Sequence, residues 1–229
     1  MIAALFDIDG TLFTAPMGRG FIRFANLNSR RKKALRYLAS VMPLYYLYKF
    51  KLISEEKLHH VAIERMASLI EGYDLSEGAE VFDWVANEFV FPSGRRTVLG
   101  RWEDHRRQGH MLVIVSSGLL PCLERIASRL KAHHVIGTKL EVIAGRYTGR
   151  IVPPVMIGRQ KGRHPPQFMA SRGIEIDWDA SYAYADSIHD LPMLELVGMP
   201  VAVHPDPSLN QLARRRNWEI LPADDQGAA

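Results

Sequence analysis

The feature that most limits what this chain can become lies at its start. Residues 2–6 form a short apolar run that ends in two carboxylates at alternate positions, Asp7 and Asp9, followed by Gly10 and Thr11. The run reads as a buried strand, and Gly10 allows a sharp exit from it. In an open α/β sheet, the crevice beyond the carboxyl ends of the strands is the usual ligand site. Two carboxylates placed there suit a hard cation such as Mg²⁺, which takes oxygen ligands. An Asp side chain can also attack phosphorus. The same residues make an ordinary Asp-rich turn, so the rest of the chain has to decide between the two readings.

At 229 residues the chain can bury a sizeable core, as one large domain or as a core with a smaller module. An apolar share of 47% with 24% charged residues is ordinary for a soluble globular protein. Cys122 stands alone, which excludes an internal disulfide and fits a reducing, cytoplasmic setting. Without a second cysteine to share a metal, it reads as buried filler. The formal charge of +4 fits an anionic substrate, but also nucleic acid or an anionic membrane. Asp7 and Asp9 interrupt any N-terminal apolar region, so no signal peptide is expected. The most membrane-like stretch, 38–53, contains Pro43, Lys49 and Lys51 and is too short and too charged to span a bilayer.

Residues 14–28 read as a loop through Pro16, Gly18 and Gly20. Arg30-Arg31-Lys32-Lys33, which alone reads as a solvated face, then opens a helical stretch with Leu35, Leu38, Ala39 and Met42 at helical spacing. Residues 44–52, rich in Leu, Tyr and Phe, read as helical core or a groove wall, with membrane-surface contact as the alternative. Ser54 caps a helix with Glu55 and Glu56 in its first turn. Its apolar face is Leu58, Val61, Ala62, Met66 and Leu69, and Gly72 ends it. A further helix starts near Leu75 and carries Val81, Trp84, Val85 and Phe89. Residues 14–91 thus read as a helical insert, closed by Pro92-Ser93-Gly94.

The pattern then changes. After a short helix over 97–109, residues 111–115 form a continuous apolar run, the mark of a strand buried on both faces. Ser116-Ser117-Gly118 ends it, and a helix follows through Leu123, Ile126 and Leu130. A brief strand spans 134–137, and alternation about Ala144-Gly145-Arg146 makes 140–151 a β-hairpin. A loop over 153–163 leads to a helix through Phe168 and Met169. Strands at 182–185, 200–203 and 218–221 alternate with helices at 193–196 and 208–216, before a polar terminus. Such alternation gives an α/β fold, a doubly wound parallel sheet covered on both sides.

Four features lie just past strand ends or in the loops between them: Asp7, Asp9 and Thr11; Ser116, Ser117 and Gly118; Lys161; and Asp186 with His189 and Asp190. A doubly wound sheet brings such ends to one edge. Each part alone has a bland reading, as a turn, a solvated lysine or a helix cap. Their order on an α/β pattern is far more specific, and the set suits phosphoryl transfer, where positioning and charge neutralisation supply most of the catalysis. Asp7 would be the nucleophile, and Asp9 the acid for the leaving alcohol and then the base for water. Asp186, Asp7 and the Asp9 carbonyl would hold Mg²⁺. Thr11, Ser116, Ser117, Gly118 and Lys161 would hold the phosphate, with Lys161 neutralising charge on the nucleophile and the phosphoryl group. Asp190 would orient the metal's waters or the lysine.

With these residues in place, the sequence resembles the haloacid dehalogenase superfamily of phosphohydrolases over its whole length. Asp7-Ile8-Asp9-Gly10-Thr11 is similar to the first motif of that family, Val115-Ser116-Ser117-Gly118 to the second, Lys161-Gly162 to the third and Asp186 to Asp190 to the fourth. The helical insert looks like its C1-type cap, which implies a core of residues 1–13 and 92–229 and a cap of 14–91. The hairpin followed by Lys161-Gly162 is similar to the phosphoserine phosphatase-like branch, subfamily IB. Asp9 resembles the acid/base of the phosphatases, which favours phosphatase over dehalogenase. Pro16 and Glu64 stand near the positions where phosphoserine phosphatases carry a Glu and an Arg to read the amino acid, which argues against phosphoserine itself. Ser117 replaces a glycine of the second motif, a change that still admits phosphate.

The resemblance implies a cytoplasmic, Mg²⁺-dependent phosphatase of a small phosphorylated metabolite, with a phosphotransferase or mutase as the near alternative. A membrane-peripheral binding protein with a vestigial site is the rival from another class. No nucleic-acid partner is expected, because the charge excess is modest and no binding module stands out. Specificity would come from the insert, with Arg19, Arg23, Tyr45, Tyr46 and Tyr48 as candidates, or from His189 in the fourth motif; the aromatic residues equally read as core of the insert. The adjacent pairs His59-His60 and His133-His134 lack the spacing that sets two ligands on one helix face, so no zinc site is expected.

Overall fold

The structure, a computed structural model, describes residues 1–27 and 30–223. Residue 28, the end of the expected first loop, and residues 224–229 of the expected polar terminus lie outside the described residues. The strands are β1 (Ala3–Phe6), β2 (Met111–Leu119), β3 (His134–Ile143), β4 (Arg146–Val152), β5 (Tyr182–Ala185), β6 (Met199–Val203) and β7 (Glu219–Leu221). They form one sheet in the order β4-β3-β2-β1-β5-β6-β7. Every neighbouring pair is parallel except the hairpin β3–β4. The apolar opening run becomes the central strand: Ala3 stands opposite Met111 of β2, and Ala4 opposite Tyr182 of β5. The strand order reverses here, which makes the end of β1 the crevice where an α/β sheet binds ligands.

Alternate residues of the central strands serve opposite faces. Ala4, Phe6, Leu112, Ile114 and Tyr184 belong to one apolar cluster, and Ala3, Leu5, Met111, Val113 and Val115 to the other. Both faces are covered, which is why these strands read as continuous apolar runs. The Phe6 ring stacks on Tyr184 across the strand pair, centroids 4.3 Å apart. The helices are α1 (Met17–Leu27), α2 (Arg31–Lys49), α3 (Glu55–Met66), α4 (Leu75–Trp84), α5 (Arg96–Arg107), α6 (Leu120–Leu130), α7 (Arg159–Ala170), α8 (Leu191–Leu194) and α9 (Pro207–Arg215). The first cluster takes side chains from α1, α4, α5 and α6, and the second from α7, α8 and α9. Cys122 is buried in the first, as filler should be.

Several elements differ from expectation. Residues expected as a loop form α1. Gly20 marks close packing there rather than a turn, since a Cβ on it would lie 2.9 Å from both Phe89 and Val85. Helix α3 ends at Met66 and tightens into a 3₁₀ turn, Ala67–Ile70, before Gly72. Strand β2 runs through Ser116, Ser117 and Gly118, and α7 starts early enough to include Lys161. The hairpin stands as expected: Ala144 and Gly145 both have positive φ, 50° and 74°, between paired Ile143 and Arg146.

The segment between β1 and β2 leaves and returns side by side. The Thr14 N–H donates to Ser93 O, and the Arg95 N–H to Leu12 O. One apolar cluster continues from the sheet into this insert through Phe21, Tyr37, Ile63 and Met66. Among the described residues, no helix is long and apolar enough to cross a membrane.

Candidate active site

Hydrogen bonds fix the loop that leaves β1. The Asp7 N–H donates to Tyr184 O, 3.0 Å, extending the β1–β5 ladder one residue beyond the strand. Gly10 adopts φ 87°, and a Cβ built on it would lie 2.1 Å from Asp186 Oδ2. Only glycine allows both the left-handed turn and that approach. Thr11 Oγ1 donates to Asp186 Oδ1 at 2.9 Å, so the first and fourth motifs meet through a hydroxyl and a carboxylate. Arg95 Nε donates to Gly10 O at 2.9 Å and anchors the loop from the far end of the insert.

Lys161 comes from the first turn of α7. Gly162 beside it is required by packing, since a Cβ there would lie 2.4 Å from Pro192 O. Lys161 Nζ donates to Asp7 Oδ1 at 2.7 Å and pairs with Asp190 Oδ1 at 2.6 Å. All three side chains are almost wholly buried, where a charge persists only if paired. Burial opposes the ammonium, but Asp190 and Asp7 outweigh it and hold the lysine above its ordinary range.

The carboxylates respond differently. Burial, with Asp190 adding to it against Lys161, pushes Asp7 up to about 6. Burial and then Asp7 push Asp9 up to about 7. Burial, then Asp7 and Asp190, push Asp186 up to about 7. Asp7, Asp186 and Asp190 each bring one oxygen to within 4.8 Å of the others. Three carboxylates around a single lysine leave excess negative charge on an all-oxygen donor set, which fits a hard divalent cation. The Asp9 side chain is not part of that set; its Oδ1 accepts from the Met17 N–H at 3.0 Å, at the start of α1.

Ser116 to Gly118 occupy an irregularity in the sheet. Val115 pairs with Ile136 and Leu119 with Thr138, so four steps along β2 match two along β3 and the intervening residues swell out of the ladder. Ser116 is buried, and its Oγ accepts from the Gly118 N–H at 3.3 Å. Thr138, which sequence reasoning missed, ties this swelling down. Its hydroxyl donates to Ser117 O at 2.8 Å and accepts from the Met156 N–H at 3.2 Å.

A cavity of about 360 Å³ opens over these groups. Its floor holds Asp7, Asp9, Ser117, Lys161, Asp186 and Asp190, and its wall from the insert is Gly18, His59, Ala62, Ile63 and Met66. Pro16 and His189 also line it. At the mouth, Glu55 stands 3.5 Å from His189 Nε2 and 4.0 Å from His59 Nε2, a contact between insert and sheet edge. Arg19, Arg23, Tyr45 and Tyr46, expected near the substrate, are exposed and do not line this cavity, and neither does the half-buried Tyr48. Helix α2 buries Tyr37 and turns Tyr45 and Tyr46 outward instead. Glu64 also lies outside the cavity, paired with His60 at 3.5 Å. His59 and the apolar wall went unread because the periodicity of α3 shows that it has an apolar face, not which neighbour that face meets.

Sheet order, the loop beyond β1 and the buried Asp–Lys–Asp arrangement together define a class of hydrolase. A family model described as haloacid dehalogenase-like hydrolase matches residues 4–195, and the chain belongs to that family. A phosphoserine phosphatase of Mycobacterium tuberculosis, SerB1, is 31% identical over 95% of this chain and 70% of its own length. A histidinol-phosphatase of Neisseria meningitidis is 26% identical over 95% of this chain and 97% of its own. Among solved structures, a Bordetella pertussis protein of unknown function superposes with a TM-score of 0.81 at 26% identity, covering 96% of this chain and 97% of that one.

Proposed function

We propose that the chain is a phosphatase of small phosphomonoesters that works through an aspartyl-phosphate at Asp7. The observation that carries this reading is the buried Lys161 shared between Asp7 and Asp190 at hydrogen-bond distance. It orients a carboxylate at the end of the central strand while leaving the Asp186 side of the cluster to a cation. Asp7 attacks phosphorus as the bond to the leaving oxygen breaks, and Asp9 gives its proton to that oxygen. Water then attacks the phosphoaspartate, Asp9 takes the water's proton, and phosphate leaves with the Asp7 carboxylate restored. An Asp9 pKa near 7 allows both transfers at neutral pH. Asp7, Asp186, Asp190 and the Asp9 carbonyl would hold Mg²⁺, which would neutralise charge between carboxylate and phosphate. Ser117, which lines the cavity, would take a phosphate oxygen, while Thr11 through Asp186, and Ser116 through the Gly118 N–H, would hold the backbone around it. Residues 14–91 would act as the cap, with Ile63, Ala62 and Met66 shutting out water during attack.

The cavity also favours one kind of alcohol. Among the described residues that line it, Lys161 is the only Lys or Arg, and it is already paired twice. No cation remains there for a substrate carboxylate, whereas Glu55 stands at the mouth beside two imidazoles. The relatives' names supply two phosphates to compare, and this lining favours histidinol phosphate over phosphoserine. Phosphate release is measured from an aryl phosphate, histidinol phosphate and phosphoserine, with Mg²⁺ and with chelator, for the wild type and Asp7→Asn. Mg²⁺-dependent release that Asp7→Asn lowers by about 10³-fold or more is expected. Retained release in Asp7→Asn removes Asp7 as nucleophile, and faster turnover of phosphoserine removes the specificity argument.

A further inference from the structure

The face of α2 that points away from the cavity carries features the hydrolase reading does not use. No acidic residue occurs from Arg30 to Ser54, while seven basic residues do; Arg30 and Lys33 turn back onto Tyr73, which leaves Arg31, Lys32, Arg36, Lys49 and Lys51 for the outer face. Leu35, Leu38, Met42, Tyr45 and Tyr46 are all exposed, and their spacing sets them on a single stripe of the helix. Arg31 and Lys49 fall on the two ends of that stripe, one turn beyond Leu35 and Tyr45 respectively. Beyond the helix, Lys51 takes a left-handed φ of 58° and turns the chain sharply toward α3. The tip of this turn projects Phe50 and Leu52, which are 74% and 70% exposed.

We propose that this face docks on an anionic lipid bilayer, with the stripe and the Phe50–Leu52 tip entering the interface and the basic residues against the headgroups. Apolar side chains flanked by Lys and Arg are the composition of a helix that lies in the interfacial plane. Long basic side chains at the ends of the stripe reach headgroups while their stems stay on apolar surface. A second copy of this chain is a poor occupant. Antiparallel pairing sets Arg31 against Lys49, parallel pairing sets Arg31 against Arg31, and the stretch has no carboxylate to answer either.

The test is flotation of the whole protein with vesicles of phosphatidylcholine alone, or with about one third phosphatidylglycerol, at about 0.1 M and about 0.5 M salt. Binding to the anionic vesicles only, reduced roughly tenfold at the higher salt, is expected. Phe50→Ser with Leu52→Ser, and separately Arg31→Ser with Lys32→Ser, should each lower binding at least about fivefold. Their turnover of a soluble aryl phosphate should match the wild type, which shows that they fold. Absence of flotation, equal binding to both vesicle types, or unchanged binding by the variants overturns the proposal. So does light scattering that shows a dimer lost in Phe50→Ser, which assigns the face to a second copy. Retention on polyglutamate that matches vesicle binding and ignores Phe50→Ser assigns it to an acidic protein.

Discussion

The end of the central strand and the outer face of α2 break the rule of apolar inside and charged outside in opposite directions. At the strand end Asp7, Lys161 and Asp190 are almost completely buried, each held by a partner. On α2 a row of Leu, Met and Tyr side chains meets solvent, and charges stand at both ends of it. Buried charge and exposed apolar surface are the informative exceptions in a folded chain. The first is expensive for folding and persists because every member is paired. The second is cheap to leave in place, because nothing in the fold depends on it. Mutations at the two regions should therefore act on different properties.

The sharpest way to break that contrast is at Lys161. Lys161→Ala leaves Asp7 and Asp190 facing each other without a cation, and should lower stability by about 3–5 kcal/mol in chemical denaturation. Turnover should fall with it. A loss below about 1 kcal/mol would mean that the buried pair is not a structural element at all. Gly10→Ala comes next. Its methyl group would meet the Asp186 carboxylate in a backbone conformation that disfavours it, for about 1–3 kcal/mol and a loss of Mg²⁺-dependent phosphate release.

Proton linkage gives a subtler test. Folding raises Asp7, Asp9 and Asp186 from near 4 to about 6, 7 and 7, so the metal-free native state holds more protons than the unfolded chain between about pH 4 and 7. Stability from these groups is fully present below that window and is lost as pH rises through it. His105, pushed down from 6.5 to about 4 by burial and by His110, works in the opposite direction over most of the window. Comparing Tm with and without Mg²⁺ at each pH isolates the carboxylates. The Mg²⁺ increment should grow from about pH 5 to about pH 7.5 and vanish in Asp186→Asn. An increment independent of pH would place the ion elsewhere. The smallest effect belongs to the other region: Leu52→Ser should change stability by less than about 0.5 kcal/mol and leave turnover of a soluble substrate intact.

The sequence was legible wherever one local pattern had one meaning. The run at 2–6 could only be a buried strand, and Ala144-Gly145 between alternating residues could only be a tight hairpin. Thr11 meets Asp186, and Lys161 meets Asp7 and Asp190, because chain order on an α/β pattern forces strand ends to one edge. What failed was what depends on a distant neighbour. Gly20 read as part of a loop because glycine for close packing and glycine for a turn look alike until Phe89 and Val85 are in place. Tyr45 and Tyr46 read as core or substrate wall because an apolar helix does not declare how much of its circumference the fold will cover. Thr138 and Arg95 gave no signal at all, since their side chains act through hydrogen bonds with backbone groups far away in the chain.

The place of β1 has a consequence for how the protein is made. The central strand leaves the ribosome before the rest of the sheet, and the partners on its two sides begin at Met111 and Tyr182. During synthesis the insert, rich in contacts between neighbouring helices, emerges complete while β1 still has no strand to pair with. Asp7 at the tip of β1 thus meets Lys161 and Asp190 only when the later part of the chain arrives, and long-range closure of this kind makes assembly of the sheet the slow step of folding.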